Sequence, residues 1–93
     1  MTDADKTYDL QITSSAQRQL ARLTEGTAVA IVEFMLGALV DNPHRVGARL
    51  RRELAGFHSA RRGAYRNVYE IFDNDRLVVV YRIDHRSNVY RTR

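Results

Sequence analysis

Apolar residues along this chain change their spacing at a single proline, and that change limits the folds open to it. Before Pro43 they recur mostly at helical intervals, and from Phe57 onward at strand intervals. Tyr8, Leu10 and Ile12 alternate with Asp9 and Gln11, the period of a half-buried strand. Ser14 and Gln17 have the spacing of a capping box, and Ala16, Leu20 and Leu23 share one face of the helix that follows, to about Leu23. Gly26 and Thr27 are expected to break this helix and cap a second. Its broad apolar stripe is Val29, Ile31, Val32, Met35, Leu36, Leu39 and Val40. Asp41-Asn42-Pro43 ends it, because proline removes a donor and pushes its predecessor out of the helical region.

Residues 44–56 read as loop. A short strand is expected around Phe57 to Arg61, and a second over Tyr65 to Phe72. Asp73-Asn74-Asp75 then forms a hairpin turn, followed by a strand over Leu77 to Ile83. Val89 to Arg91 could add an edge strand. The expected fold is α+β: an N-terminal strand, then an antiparallel two-helix hairpin packed on one face of a mainly antiparallel sheet of four to five strands. At 93 residues, 44% of them hydrophobic, the chain is expected to form one domain over 1–93, with residues 1–6 frayed.

The second half is also where the charge lies. Residues 1–44 carry three basic side chains against six acids, whereas residues 45–93 carry twelve arginines against five acids. Arginine usage can follow codon bias, but codon bias does not cluster charge in half of one small domain. A basic face for phosphate accounts for the clustering. Arginine offers a planar fork of donors and stays charged, so it grips phosphate well and serves poorly as a proton acceptor.

Arg49, Arg51, Arg52, Arg61, Arg62, Arg66, Arg82, Arg86 and Arg91 are the basic residues of interest. Arg66 interrupts the strand sequence Tyr65-Arg66-Asn67-Val68-Tyr69, where a charge must meet solvent, an acid such as Glu70, or a partner. Arg61, Arg62, Arg66 and Arg86 would come from three adjacent elements, and their convergence is costly unless an anion binds. His58 and His85 are candidate proton carriers beside them, or else surface imidazoles; His44 is assigned to structure. Tyr90 could stack on a base, take part in proton transfer, or cap the sheet's open edge.

No cysteine is present, no stretch is apolar for long enough to span a membrane, and no metal-ligand spacing or phosphate-cradling glycine loop appears. The expectation is a cytoplasmic protein without metal or small-molecule cofactor. RNA cleavage needs neither, since RNA carries its own nucleophile in the 2′-hydroxyl.

The run from Leu50 to Tyr69 contains Leu54-x-Gly56-x-x-Ser59-x-Arg61-x-x-x-Tyr65-Arg66-x-Val68-Tyr69. This resembles the core motif of the RelE toxins, within the RelE/ParE superfamily. Asn42 to Gly47, the later Val78 to Arg86 strand and the order of elements extend the similarity. The resemblance implies a bacterial toxin that cleaves mRNA in the ribosomal A site and is held inactive in a hetero-oligomer with a cognate antitoxin. It places Arg66 on the scissile phosphate, with Arg61, Arg86 and Tyr90 completing the catalytic set. Arg49, Arg51, Arg52, Arg62, His85 and Arg91 remain as the wider RNA-binding surface.

The chain departs from the family pattern where the best-known RelE member carries lysines, and reads Phe57, His58 and Ser59 instead. His58 is the residue available to take their place. The glutamate of YoeB-type members has no counterpart at Ala48-Arg49. Two alternatives stay open: a non-catalytic inhibitor of DNA gyrase, as for ParE-type members of the superfamily, and a weakly toxic co-repressor bound to its antitoxin.

Overall fold

The computed structural model describes residues 7–85. The chain begins with strand β1 (Asp9–Ile12), then helices α1 (Ser14–Ala21) and α2 (Glu25–Phe34). The latter runs on into a π-helical segment, Met35–Leu39. A one-turn helix α3 (Pro43–Val46), a two-residue strand β2 (Ala48–Arg49) and a 3-10 turn (Arg52–Leu54) follow. Strands β3 (His58–Arg62), β4 (Tyr65–Phe72) and β5 (Leu77–His85) complete the order.

The five strands form one sheet in the order β1-β5-β4-β3-β2, with β1 parallel to β5 and the other neighbours antiparallel. This is the α+β architecture expected from the sequence. Its mixed character follows from the chain path: the helices carry the chain from β1 to β2 at the far edge, and three antiparallel steps through β3 and β4 bring it back to β5 beside β1. Tyr69, Val78, Val80, Ala60 and Ile83 on the inner face of the sheet meet Ala16, Ile31, Met35 and Leu39 from the helices.

The helix starts differ from expectation by a few residues. Thr13, rather than Ser14, caps α1, its hydroxyl accepting from the Ala16 amide, while the Gln17 side chain donates to the Ile12 carbonyl. Thr24 caps α2 and accepts from the Thr27 amide, so Gly26 and Thr27 lie in the first turn of the helix and not before it. The apolar stripe of α2 is also wider than one face can bury: Ile31, Met35 and Leu39 are inside, and Val29 and Leu36 are exposed.

The expected loop over 44–56 holds α3, β2 and the 3-10 turn. Proline at the first position of α3 costs no hydrogen bond, since that amide would have no helical partner. The expected edge strand over Val89 to Arg91 lies outside the described residues.

One irregularity positions the site. The pairing of β4 with β5 slips between Val68, which faces Arg82, and Tyr69, which faces Val80. Tyr81 is the extra residue of a β-bulge, and a bulge re-aims the side chains around it. Val80 is fully buried on the inner face, and Tyr81 and Arg82 both turn outward before Ile83 returns to the core.

Candidate nucleic-acid interface

Strand alternation divides the basic residues between the two faces of the sheet. Arg61 on β3 lies directly opposite Arg66 on β4, which in turn lies opposite Asp84 on β5. One step along, Ser59 faces Val68, which faces Arg82. These two rows occupy the face turned away from the helices, since the alternate rows contain Ala60, Asn67 and Ile83, all buried. The Arg82 Nε lies 2.9 Å from an Asp84 carboxylate oxygen, so Asp84 is held within the face by an ion pair.

Like charges placed directly opposite in a sheet are destabilising. Arg61 and Arg66 nonetheless stand side by side, with β3 forming the sheet edge at Arg61 because its pairing with β2 reaches only to Ser59. Arg61 therefore also borders the depression along that edge, next to Glu33, Phe34, Ala38 and Arg62. The two arginines thus leave the same face from directly opposed positions, and arginine is the side chain whose planar fork best matches phosphate oxygens.

The other expected site residues are dispersed. His58 pairs with Tyr69 across the ladder and stacks on its ring, 5.6 Å between centroids and 22° from parallel. It is on the helix side of the sheet, separated from Arg61 and Arg66 by the sheet itself. This corrects the expectation that His58 fills the place of the lysines, because strand parity puts Phe57, Ser59 and Arg61 on the outer side and His58 on the inner. Burial lowers the His58 pKa below its ordinary value, with His44 and Arg49 adding to the effect. The His58 Nδ1 is buried and meets no hydrogen-bond partner among the described residues.

Arg49 stands opposite His58 and shares its face, bordering a small hollow of about 260 Å³ with His44, His58 and Asp73. There the Asp73 carboxylate accepts from Tyr8 at 2.6 Å and lies 2.8 Å from the His44 Nε2. The two hydrogen bonds hold its pKa below the usual value. Arg62 lies opposite Tyr65, beside Gly26, Thr27 and Ala30 of α2, again on the helix side. His85 packs edge-on against Tyr65 at 5.2 Å, near Gln19 of α1 and Arg22, which caps that helix.

Arg51 and Arg52 are exposed in the turn before β3, and Arg52 takes a left-handed backbone, φ 60°. Arg86, Tyr90 and Arg91 lie outside the described residues. Of the expected set, the structure brings together Arg61 and Arg66. It adds Arg82 and Asp84, which sequence reading had named only as a basic residue or not at all. It also adds Tyr81, whose hydroxyl donates to Glu70 at 3.0 Å and whose pKa is raised by burial and that bond. The bulge that turns Arg82 outward has no signature in the Leu77–Ile83 run, which is why strict alternation misplaces it.

Among the described residues, no group of histidines and acids is arranged to hold a metal ion, and no helix is long and apolar enough to cross a membrane.

Comparison with known proteins gives the arrangement a context. The family described as ParE toxin of type II toxin-antitoxin system, parDE, matches residues 10–90. Toxin RelE of Mycobacterium tuberculosis is 51% identical over 87 residues, covering 94% of this chain and 90% of that protein. Toxin RelG of the same organism is 49% identical over 84 residues, covering 90% and 97%. Among solved structures, the toxin-antitoxin complex RelBE2 of M. tuberculosis contains a chain that superposes with a TM-score of 0.83. It is 48% identical, with 87% of this chain and 93% of that one covered. With half its residues shared with RelE and RelG and their fold reproduced, the chain belongs to the RelE/ParE superfamily and is a RelE-type toxin of a type II toxin-antitoxin system.

Proposed function

We propose that this toxin is an endoribonuclease that cuts mRNA in the ribosomal A site, without a metal ion, and that a cognate antitoxin holds it inactive. The observation that carries the reading is the direct pairing of Arg61 with Arg66 on the outer face of the sheet, next to the ion-paired Arg82 and Asp84. An antitoxin partner is supported by the M. tuberculosis relative, whose structure is that of a toxin-antitoxin complex. The relatives named RelE and RelG weigh against the gyrase-inhibitor alternative.

The reaction places the 2′-hydroxyl in line with the adjacent phosphorus. A bond forms from the 2′-oxygen to phosphorus, the bond from phosphorus to the 5′-oxygen breaks, and a 2′,3′-cyclic phosphate and a 5′-hydroxyl result. Charge accumulates on the non-bridging oxygens, where Arg61 and Arg66 stabilise it. One proton leaves the 2′-hydroxyl and one reaches the 5′-oxygen. Asp84, opposite Arg66, is the carboxylate nearest in register to take the first. Tyr90 is the candidate donor of the proton to the 5′-oxygen, and Arg86 adds charge stabilisation.

Toeprinting on ribosomes stalled with a defined A-site codon tests the reading. Codon-positioned cuts by the wild-type protein are expected, and their absence with toxin bound overturns it. A supercoiling assay with gyrase is expected to show no inhibition. Growth arrest on expression, relieved by the antitoxin, separates a toxin from a weakly toxic co-repressor.

A further inference from the structure

The outer face is not uniformly polar. Beside the arginine rows lies a small cavity of about 160 Å³ lined by Leu54, Phe57, Val68, Tyr81 and Arg82. We propose that this cavity is a nucleobase subsite, holding one base of the RNA strand whose phosphate lies on Arg61 and Arg66. The inference rests on the reading of the protein as an RNA-cutting toxin and adds to it a specific recognition element.

Position is the first argument. Val68 is two residues along β4 from Arg66 and on the same face, so the cavity floor is about 7 Å from the row that would grip the phosphate. A base attached to a nucleotide held there is within reach of the cavity.

The second is shape and chemistry. The Phe57 and Tyr81 rings meet edge to face, 5.3 Å apart at 85°, so one aromatic face and one aromatic edge border the space above Val68. The Tyr81 hydroxyl is tied to Glu70, which fixes the ring before any ligand arrives. Arg82 closes the rim with its guanidinium held by Asp84, and a planar cation of this kind stacks well on a base. Leu54 remains 39% exposed on the 3-10 turn, leaving the cavity open at the side facing solvent.

The third is the pairing of opposites. An apolar slot edged by Arg82 and adjoining Arg61 and Arg66 suits a ligand that joins a flat ring to an anion in each repeating unit. A nucleotide is such a unit, and aromatic side chains beside a cationic track are how single strands are held. The β-bulge at Tyr81 makes this possible, because it lets an aromatic and an arginine adjacent in sequence share one face, which strict alternation forbids.

Single-turnover cutting on programmed ribosomes tests the subsite, using mRNAs with one abasic nucleotide placed in turn at each A-site position. For one position, the abasic mRNA is expected to be cut about 10-fold more slowly by the wild type. Phe57→Leu is expected to slow cutting of intact mRNA by a similar factor. Combining the two should give no further loss, since both remove the same contact. Leu54→Gln, in an exposed turn, is the second variant and is expected to give the same pattern if Phe57→Leu folds poorly. Losses that multiply at every position overturn the subsite while leaving the cutting activity standing. Absence of cutting of intact mRNA by the wild type defeats the underlying reading as well. Variants that cut intact mRNA normally but no longer bind the antitoxin assign the cavity to a protein partner and overturn the proposal.

Discussion

Arg61 and Arg66 are direct cross-strand partners on the outer face of the β3–β4 ladder, a like-charge pair that a sheet selected only for stability would avoid. Arg66→Gln is expected to lower mRNA cutting by about 100-fold, the scale on which a charge-stabilising donor acts. Arg61→Gln is expected to lower it as well, by a smaller factor, because Arg61 stands at the sheet edge. The Arg61 variant should unfold at the wild-type temperature or slightly above. Single-turnover rates and thermal midpoints measured together decide this, and a large loss of midpoint in Arg61→Gln would identify a structural role instead.

His58 predicts a stability slope in mild acid. Its folded pKa is lowered from the ordinary 6.5, mainly by burial, with His44 and Arg49 also opposing its protonation and Asp73 favouring it. The unfolded chain therefore binds the proton first. The stability that neutral His58 permits is fully present above about pH 6.5 and declines as pH falls through the lowered folded value. Urea midpoints measured between pH 7.5 and 5 should fall, and His58→Gln should flatten that part of the profile. An equal slope in the variant would place the titration elsewhere.

Gly47→Ala is expected to destabilise the fold by about 1–3 kcal/mol, the cost of overpacking a tight contact. A Cβ at this position would collide with the Tyr69 hydroxyl and lie 2.7 Å from the Ser59 carbonyl oxygen. The hydroxyl is itself fixed by a 2.7 Å hydrogen bond to the Pro43 carbonyl. Tyr69→Phe removes the first obstacle and not the second, so the double variant should still unfold below Tyr69→Phe alone in a thermal melt.

Asn67 is fully buried on the inner face of β4, where its side-chain nitrogen donates to the Ala60 carbonyl at 3.3 Å and its Oδ1 finds no partner among the described residues. An apolar side chain of similar size removes a buried polar group whose desolvation is only half offset. Asn67→Val is expected to raise stability by about 1 kcal/mol, read as a higher urea midpoint. A lower midpoint would show that the single hydrogen bond to Ala60 outweighs the orphaned oxygen.

Much of this architecture is legible in the residues because period and punctuation agree. Tyr8 to Ile12, the helical stripe through Leu39, the stop at Pro43 and the Asp73-Asn74-Asp75 turn each carry a local signal, and the structure places elements accordingly. That Arg61 and Arg66 come from neighbouring strands was legible too, from the expected elements that carry them. Other features depend on interactions between strands. His58 is three residues from Arg61, so parity alone puts it on the opposite face, yet its sequence neighbourhood suggests the arginine cluster. The short elements between Pro43 and Phe57 are fixed by pairing with β3 and by the contact of Gly47 with Tyr69, neither of which leaves a periodic trace.

The bulge at Tyr81 acts as a phase inverter for the end of β5. Were Tyr81 paired in strict alternation instead of bulged out, Arg82 and Asp84 would be directed into the hydrophobic interior and Ile83 into water. The bulging of a single residue thus decides which half of the strand's side chains is wetted beyond it. Deleting one residue between Val80 and Arg82 would leave composition and net charge almost unaltered. It would restore strict pairing with β4 and leave Arg82, Ile83 and Asp84 on the faces they hold now, so the inversion lies in how the ladder absorbs Tyr81 and not in the residues beyond it.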